Sequence, residues 1–251
     1  MPDAVVVSNI VKRFPVDHEH SDPQIRDGFF LALDDVSFRI ENGSCAMICG
    51  ANGSGKSLLM AIIAGLETPD SGTVQTAGRA GLIFQDPDSQ ILGETPREDI
   101  AFGLRNLGIP KKDISRYAGK ALAETGLENR AGYPARTLSG GEKRRLAIAG
   151  VLAMDSGILI FDEPYANMDY PSVVQVNRQI QKLHAEGKTL IILTHEIEKC
   201  LGLADSFIVL YKGKKVFDGN PVLALEQNLE NWGIHHPLAM RSESIKELLW
   251  L

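Results

Sequence analysis

The chain has 251 residues, 44% apolar and 23% charged, the balance of a folded protein with a core of its own, which excludes disordered, collagen-like and coiled-coil classes. Twenty-six basic residues against 32 acidic ones leave a net charge of −6, which argues against a nucleic-acid partner while permitting a local phosphate site. No apolar run approaches the ~18 residues that cross a bilayer, the start lacks a signal-peptide pattern, and Cys45, Cys49 and Cys200 form no C-x-x-C pair, so reduced thiols in a cytosolic setting are expected.

Along the chain, Ala4–Ile10 has strand character. The polar stretch Val16–Gly28 carries His18 and His20 without ligand-like spacing and is expected to be a solvated loop. Cys45–Cys49, Leu82–Phe84, Ile158–Phe161, Leu190–Leu193 and Phe207–Leu210 are short apolar runs separated by helical patterns. That alternation predicts an α/β fold with a parallel core sheet buried on both faces. Ala4–Ile10, and Phe207–Leu210 with Lys215–Phe217 across Lys212-Gly213-Lys214, read as hairpin strands, so a small antiparallel β subdomain is expected beside the core. From Gln85 to Ser139 the strands cease, with breaks at Gly108-Ile109-Pro110 and Tyr133-Pro134, which predicts a helical subdomain at about 86–150. The expected division is one α/β unit over residues 1–220 and a helical tail over 221–251, the latter opening at Asn220-Pro221.

Three motifs carry chemistry. Gly50-Ala51-Asn52-Gly53-Ser54-Gly55-Lys56-Ser57 follows an apolar strand and precedes an apolar helical stretch, the context of a P-loop. Its glycines let successive N–H groups face one phosphate chain, Lys56 is placed to neutralise the β- and γ-phosphates, and Ser57 to put its hydroxyl on Mg²⁺. Asp162 and Glu163 end the apolar run from Ile158: the first suits the coordination sphere of Mg²⁺, the second a general base acting on the attacking water. Leu138-Ser139-Gly140-Gly141-Glu142 opens a helix, where Ser139 and the Gly140-Gly141 amides offer a second anion site. A helix cap explains Ser139 but not the doubled glycine. Lacking a lysine of its own, this site is expected to complete a nucleotide held by another subunit.

Leu138–Ala149 resembles the signature of ATP-binding cassette ATPases, and the resemblance extends over about Val5–Gly219. It implies the P-loop NTPase fold of that family, with a helical signature subdomain, and a head-to-tail dimer with two ATP molecules at the interface. It further implies that Gln85 touches Mg²⁺ and the attacking water, Asp169 belongs to the loop joining the two sites, His195 contacts the γ-phosphate, and Phe14 stacks on adenine. Ser139, Gly140, Gly141 and Glu142 are then the contacts made in trans. Within the family, Phe84–Gln90, Glu98–Gly103 and Ala147–Met154 are similar to the ATPases of energy-coupling factor importers, including the cobalt and nickel type. That similarity implies a subunit peripheral to the cytoplasmic face of the membrane, hydrolysing ATP to drive uptake of a vitamin or transition-metal ion. Its partners would be a second ATPase, identical or paralogous, an integral-membrane scaffold and a substrate-binding membrane subunit, with Trp232 and Leu248–Leu251 contributing to the ATPase pair. The alternatives are the ATPase of another importer type and a soluble cassette protein outside transport. Tyr165 and Asn167 depart from the usual Thr and Gly of the family, and Val16–Gly28 has the character of an insertion.

Overall fold

The computed structural model describes residues 2–16, 23–166 and 168–238. The readings of His18, His20, Asn167 and Leu248–Leu251 fall outside them. In chain order come β1 (Asp3–Pro15), β2 (Ile25–Arg26), β3 (Phe29–Glu41), β4 (Cys45–Cys49), α1 (Lys56–Ile63), β5 (Ser71–Thr76) and β6 (Ala80–Ile83). Then follow α2 (Pro96–Asn106), α3 (Lys111–Glu124), α4 (Gly140–Ala153), β7 (Ile158–Asp162), α5 (Tyr170–Ala185), β8 (Thr189–Leu193), β9 (Ser206–Tyr211), β10 (Lys214–Gly219) and α6 (Pro221–Ala224).

One sheet has the order β10-β9-β4-β8-β7-β6, parallel from β9 to β6 with β10 antiparallel on the edge. Its strands are apolar without interruption because both faces are covered. The alternation sorts them cleanly: Met47, Phe161, Ile192 and Phe207 enter the core beneath α4 and α5, while Ile48, Ile160, Ile191 and Ile208 enter the core shared with α1 and the second sheet. Each such fully buried side chain contributes about 1.5–3 kcal/mol. The second sheet, β2-β3-β1-β5, is antiparallel.

Two sequence expectations change here. Phe207–Leu210 takes its place in the parallel sheet as its apolar run predicts, Phe207 pairing with Met47, but it carries β10 onto that sheet's edge, so the hairpin is not part of the antiparallel sheet. The antiparallel sheet is built instead on β3, whose Val36, Phe38 and Ile40 alternate inward, and on β5, whose residues are almost all solvent-facing and whose place is set by pairing with β1. A strand with so little apolar pattern leaves little local signal. Val16–Gly28 joins β1 to β3: Phe14 lies opposite Phe30, and the Val16 N–H donates to the Gly28 carbonyl at 3.0 Å.

The stretch after Gln85 folds as α2, α3 and α4 around Ile100, Leu104, Ala118, Leu122 and Leu146. Thr95 caps α2 and Pro96 opens it, each suited to a helix start. α4 is apolar on more than one side because it serves two cores, Leu146 and Ala149 facing the helices while Ala147, Ile148 and Val151 face the sheet. Asn220 caps α6 through the Val222 N–H, and the Trp232 ring packs 6.4 Å from Phe217 within the chain.

Candidate functional site

β4 delivers the chain into residues 50–55, and α1 begins immediately after. Gly50 takes φ +150 and a Cβ there would sit 2.1 Å from the Leu210 carbonyl oxygen, so no other residue fits. Gly53, at φ +78, has open space around it, leaving the loop's backbone approachable. No side chain caps the start of α1 and no acid occupies its first turn, so its leading N–H groups remain available to an anion. Lys56 is buried across this opening and donates to the Gly50 and Ala51 carbonyls at 2.7 and 3.1 Å. Burial lowers its pKa, against the opposing pull of Glu163 and Asp162. Ser54 Oγ is buried in the same loop without a hydrogen-bond partner.

The hairpin tip between β9 and β10 holds this loop from the other side. The Gly213 N–H donates to the Ser54 carbonyl at 3.2 Å, and the Gly213 carbonyl accepts from the Asp34 N–H at 2.8 Å. Phe14 lies on β1, opposite Phe30, and β3 runs on to Ala32 and Leu33, which abut Gly55. Its ring is 43% exposed, with Lys12 Nζ 5.7 Å from the centroid, and Arg13 lies 4.6 Å from the neighbouring Phe29 ring. An exposed aromatic on the sheet whose β3 abuts the phosphate loop is a platform on which a base can stack.

The acids arrive together at the end of β7, two strands from β4 in the same parallel sheet. Asp162 ends β7 with Oδ1 accepting from Ser57 Oγ at 3.2 Å, so the two oxygens of the expected metal site face each other. Burial raises the Asp162 pKa, Glu163 adds to the effect, and the Ser57 hydrogen bond opposes it. Glu163 takes a left-handed backbone, φ +44, which turns its side chain out of the strand direction while its N–H still donates to the Leu193 carbonyl at 2.9 Å. Its Oε1 meets His195 Nδ1 at 2.9 Å, and with a carboxylate as acceptor the Nδ1–H is the donor. Glu163 is buried and His195 half-exposed at the surface.

A raised carboxyl pKa means that the ionised group is held less well in the folded chain than in the unfolded one. The destabilisation is absent below the unfolded value near 3.8 and fully present once pH exceeds the raised folded value. Asp162→Asn keeps an acceptor for Ser57 and removes the charge. Near neutral pH and without nucleotide it is therefore expected to melt at a higher temperature than the parent, while losing turnover; a lower melting temperature would contradict this.

The second group of residues lies apart. Ser139 caps α4 in a reciprocal capping box: its hydroxyl accepts from the Glu142 N–H, and the Glu142 carboxylate accepts from the Ser139 N–H at 2.8 Å. The Ser139 N–H holds the Glu142 carboxyl below its usual pKa, and Arg130 pairs with it at 3.0 Å. Gly140 has nothing within 4 Å of a built Cβ and Gly141 only the Arg145 guanidinium at 3.9 Å, so packing inside this chain demands neither glycine. A cleft of ≈ 1040 Å³ separates this helix start from Gln85 and Asp169, and no residue of 50–57 lines it. Asp169 caps α5 by accepting from the Ser172 N–H at 3.1 Å, and its pKa is lowered by the Ser172 hydroxyl first and by that N–H second.

The structure thus unites Lys56, Ser57, Asp162, Glu163 and His195, and brings Ser139–Glu142, Gln85 and Asp169 around a separate cleft. The sequence reading passed over Arg144, buried on α4 and donating to the Gln85 carbonyl at 2.8 Å. The signal available was the run Lys143-Arg144-Arg145, whose members reach Asp88, Gln85 and Gln175 in turn.

Residues 33–166 match the ABC transporter family. The chain is 38% identical over 224 residues to the energy-coupling factor transporter ATP-binding protein EcfA of Carboxydothermus hydrogenoformans, covering 84% of this chain and 83% of the relative. It is 39% identical over 223 residues to the cobalt import ATP-binding protein CbiO of Syntrophus aciditrophicus, covering 82% and 79%. Its fold is similar to that of CbiO1 from Clostridium perfringens, part of the ABC transporter complex CbiONQ, with a TM-score of 0.76, 30% identity, and coverage of 94% and 97%.

Proposed function

Because the chain belongs to the ABC transporter family, and within it to the ATP-binding subunits of energy-coupling factor importers, we propose that it works as one of a pair, with ATP completed across the interface. The observation that carries this is the separation of two half-sites on one chain. Lys56, Asp162, Glu163 and His195 form one, while Ser139 and the two glycines, with open space before them, face a cleft that Lys56 does not reach. Glycines that their own chain does not require are accounted for by a close approach from outside. The second ATPase is this chain again or a paralogue.

Within each composite site Lys56 donates to the β- and γ-phosphates, and the amides of 50–55 and of α1 cradle the chain of phosphates. Ser57 Oγ and Asp162 Oδ1 would hold Mg²⁺, which suits their hard oxygen donors and Asp162's burial-raised affinity for positive charge, while the Gln85 side chain, which lines the other cleft, would have to move toward them to join. When bound, the ion neutralises the charge shared by the phosphates. Glu163 accepts the proton of the attacking water, and His195 holds its carboxylate in place while lying within reach of the γ-phosphate. Ser139, Gly140, Gly141 and Glu142 contact the partner's nucleotide, and Asp169 links the two sites. Phe14 stacks on adenine.

No helix among the described residues is long and apolar enough to cross a membrane. The transport path is supplied by partners, an integral-membrane scaffold and a substrate-binding subunit, with this chain peripheral on the cytoplasmic side. The cargo is a small solute, a vitamin or a transition-metal ion, chosen by the membrane subunits. Purification of the tagged chain from solubilised membranes of its own cell, followed by mass spectrometry, is expected to recover both partners. Recovery only from the soluble fraction, with ribosomal or DNA-processing proteins, would overturn the transport reading and leave the ATPase chemistry standing.

A further inference from the structure

Tyr165 lies two residues beyond Glu163 and is fully buried in the core beneath α4 and α5. Its hydroxyl donates to Asn177 Oδ1 on α5 at 2.7 Å, and Asn177 Nδ2 donates to the Lys199 carbonyl at 2.7 Å. Lys199 ends the short helical turn Ile197–Lys199 that follows His195. The Cys200 thiol lies against the same tyrosine hydroxyl. The loops after β7 and β8 are therefore tied twice beyond the end of the strand ladder, once at the surface by Glu163 and His195 and once by Tyr165, Asn177 and Lys199.

The surface tie cannot hold itself. His195 is half-exposed, so packing does not lock its ring, and Glu163 sits on a left-handed backbone that the surrounding structure must impose. The second tie starts from the fully buried Tyr165 and runs through the half-buried Asn177 to Lys199 at a surface cleft, and it is made of neutral groups that satisfy one another. Burial drives the Tyr165 pKa far upward, which keeps the hydroxyl a donor across the working pH range.

We propose that Tyr165 is a positioning residue for hydrolysis: through Asn177 it fixes the spacing of the two loops so that His195 meets the Glu163 carboxylate. The proposal rests on the reading of Glu163 as the base, and goes beyond it by assigning a buried residue to the rate and not to nucleotide binding.

The test uses the full-length chain purified with its membrane partners. Tyr165→Phe deletes only the hydroxyl, and is expected to lower kcat about fivefold, the scale of one neutral hydrogen bond, with KM for ATP nearly unchanged. Asn177→Leu, similar in size without donor or acceptor, is expected to do the same and covers the case in which Tyr165→Phe fails to fold. In a His195→Ala background, where single-turnover hydrolysis of labelled ATP reads the residual rate, Tyr165→Phe is expected to cause no further fall. A parental kcat in both single variants overturns the proposal, as does an equal fall with and without His195, which marks a merely structural role. Glu163→Gln run alongside separates the two ideas: if its turnover were intact, the base assignment itself would fail.

Discussion

Glu163→Gln is expected to lower ATP turnover by about 10²- to 10⁴-fold, the usual contribution of a positioned general base, while ATP affinity stays nearly unchanged. The substitution preserves size, the left-handed backbone requirement and an oxygen able to accept from His195 Nδ1 at the 2.9 Å contact. What it removes is the second carboxylate oxygen that can take a proton from water. The phosphate-binding groups, Lys56 and the amides leading into α1, are untouched, so binding and chemistry separate. Phosphate release in the steady state and equilibrium nucleotide binding measure the two arms. Unchanged turnover would remove Glu163 from the chemical step.

Lys56→Ala acts on the other arm. Hydrogen bonds to a charged group are worth about 1.5–3 kcal/mol, so loss of the ammonium is expected to weaken ATP binding by roughly 10- to 150-fold, measurable by calorimetry. The lowered Lys56 pKa adds a pH signature. Burial disfavours the charged amine in the free protein, whereas a phosphate beside it favours the charge, so binding raises the pKa and takes up a proton wherever the amine is partly neutral. Parental affinity is therefore expected to fall as pH rises through the lowered value, which lies below the ordinary 10.5, and the Ala variant to lack that dependence. Equal affinity of the two proteins would contradict the role of Lys56.

What could be read in advance follows from how far apart in the chain the interacting residues lie. The phosphate loop, the acids ending β7 and the start of α4 are contiguous, and each is defined by local rules of backbone freedom, strand burial and capping. The alternation of faces in β4, β7, β8 and β9 follows from their uninterrupted apolar runs. Contacts between distant segments left no comparable trace. Arg144 reaches the Gln85 carbonyl across 59 positions of sequence, and Asn177 reaches Lys199 across 22, through backbone carbonyls that every residue possesses. The β9–β10 hairpin was legible as a pair, but its attachment to β4 depends on register between strands about 160 residues apart, which no local pattern encodes.

The tip of that hairpin has a mechanical meaning. A single residue, Gly213, is bonded through its N–H to the phosphate loop at Ser54 and through its carbonyl to β3 at Asp34, and a side chain there would press on the Leu31 and Ala32 carbonyls. The sheet that carries Phe14 and the loop that carries Lys56 are consequently clamped into one body. Where adenine stacks on Phe14 and its phosphates meet Lys56, as proposed, the clamp would act as a gauge, fixing the span between the two before any nucleotide arrives.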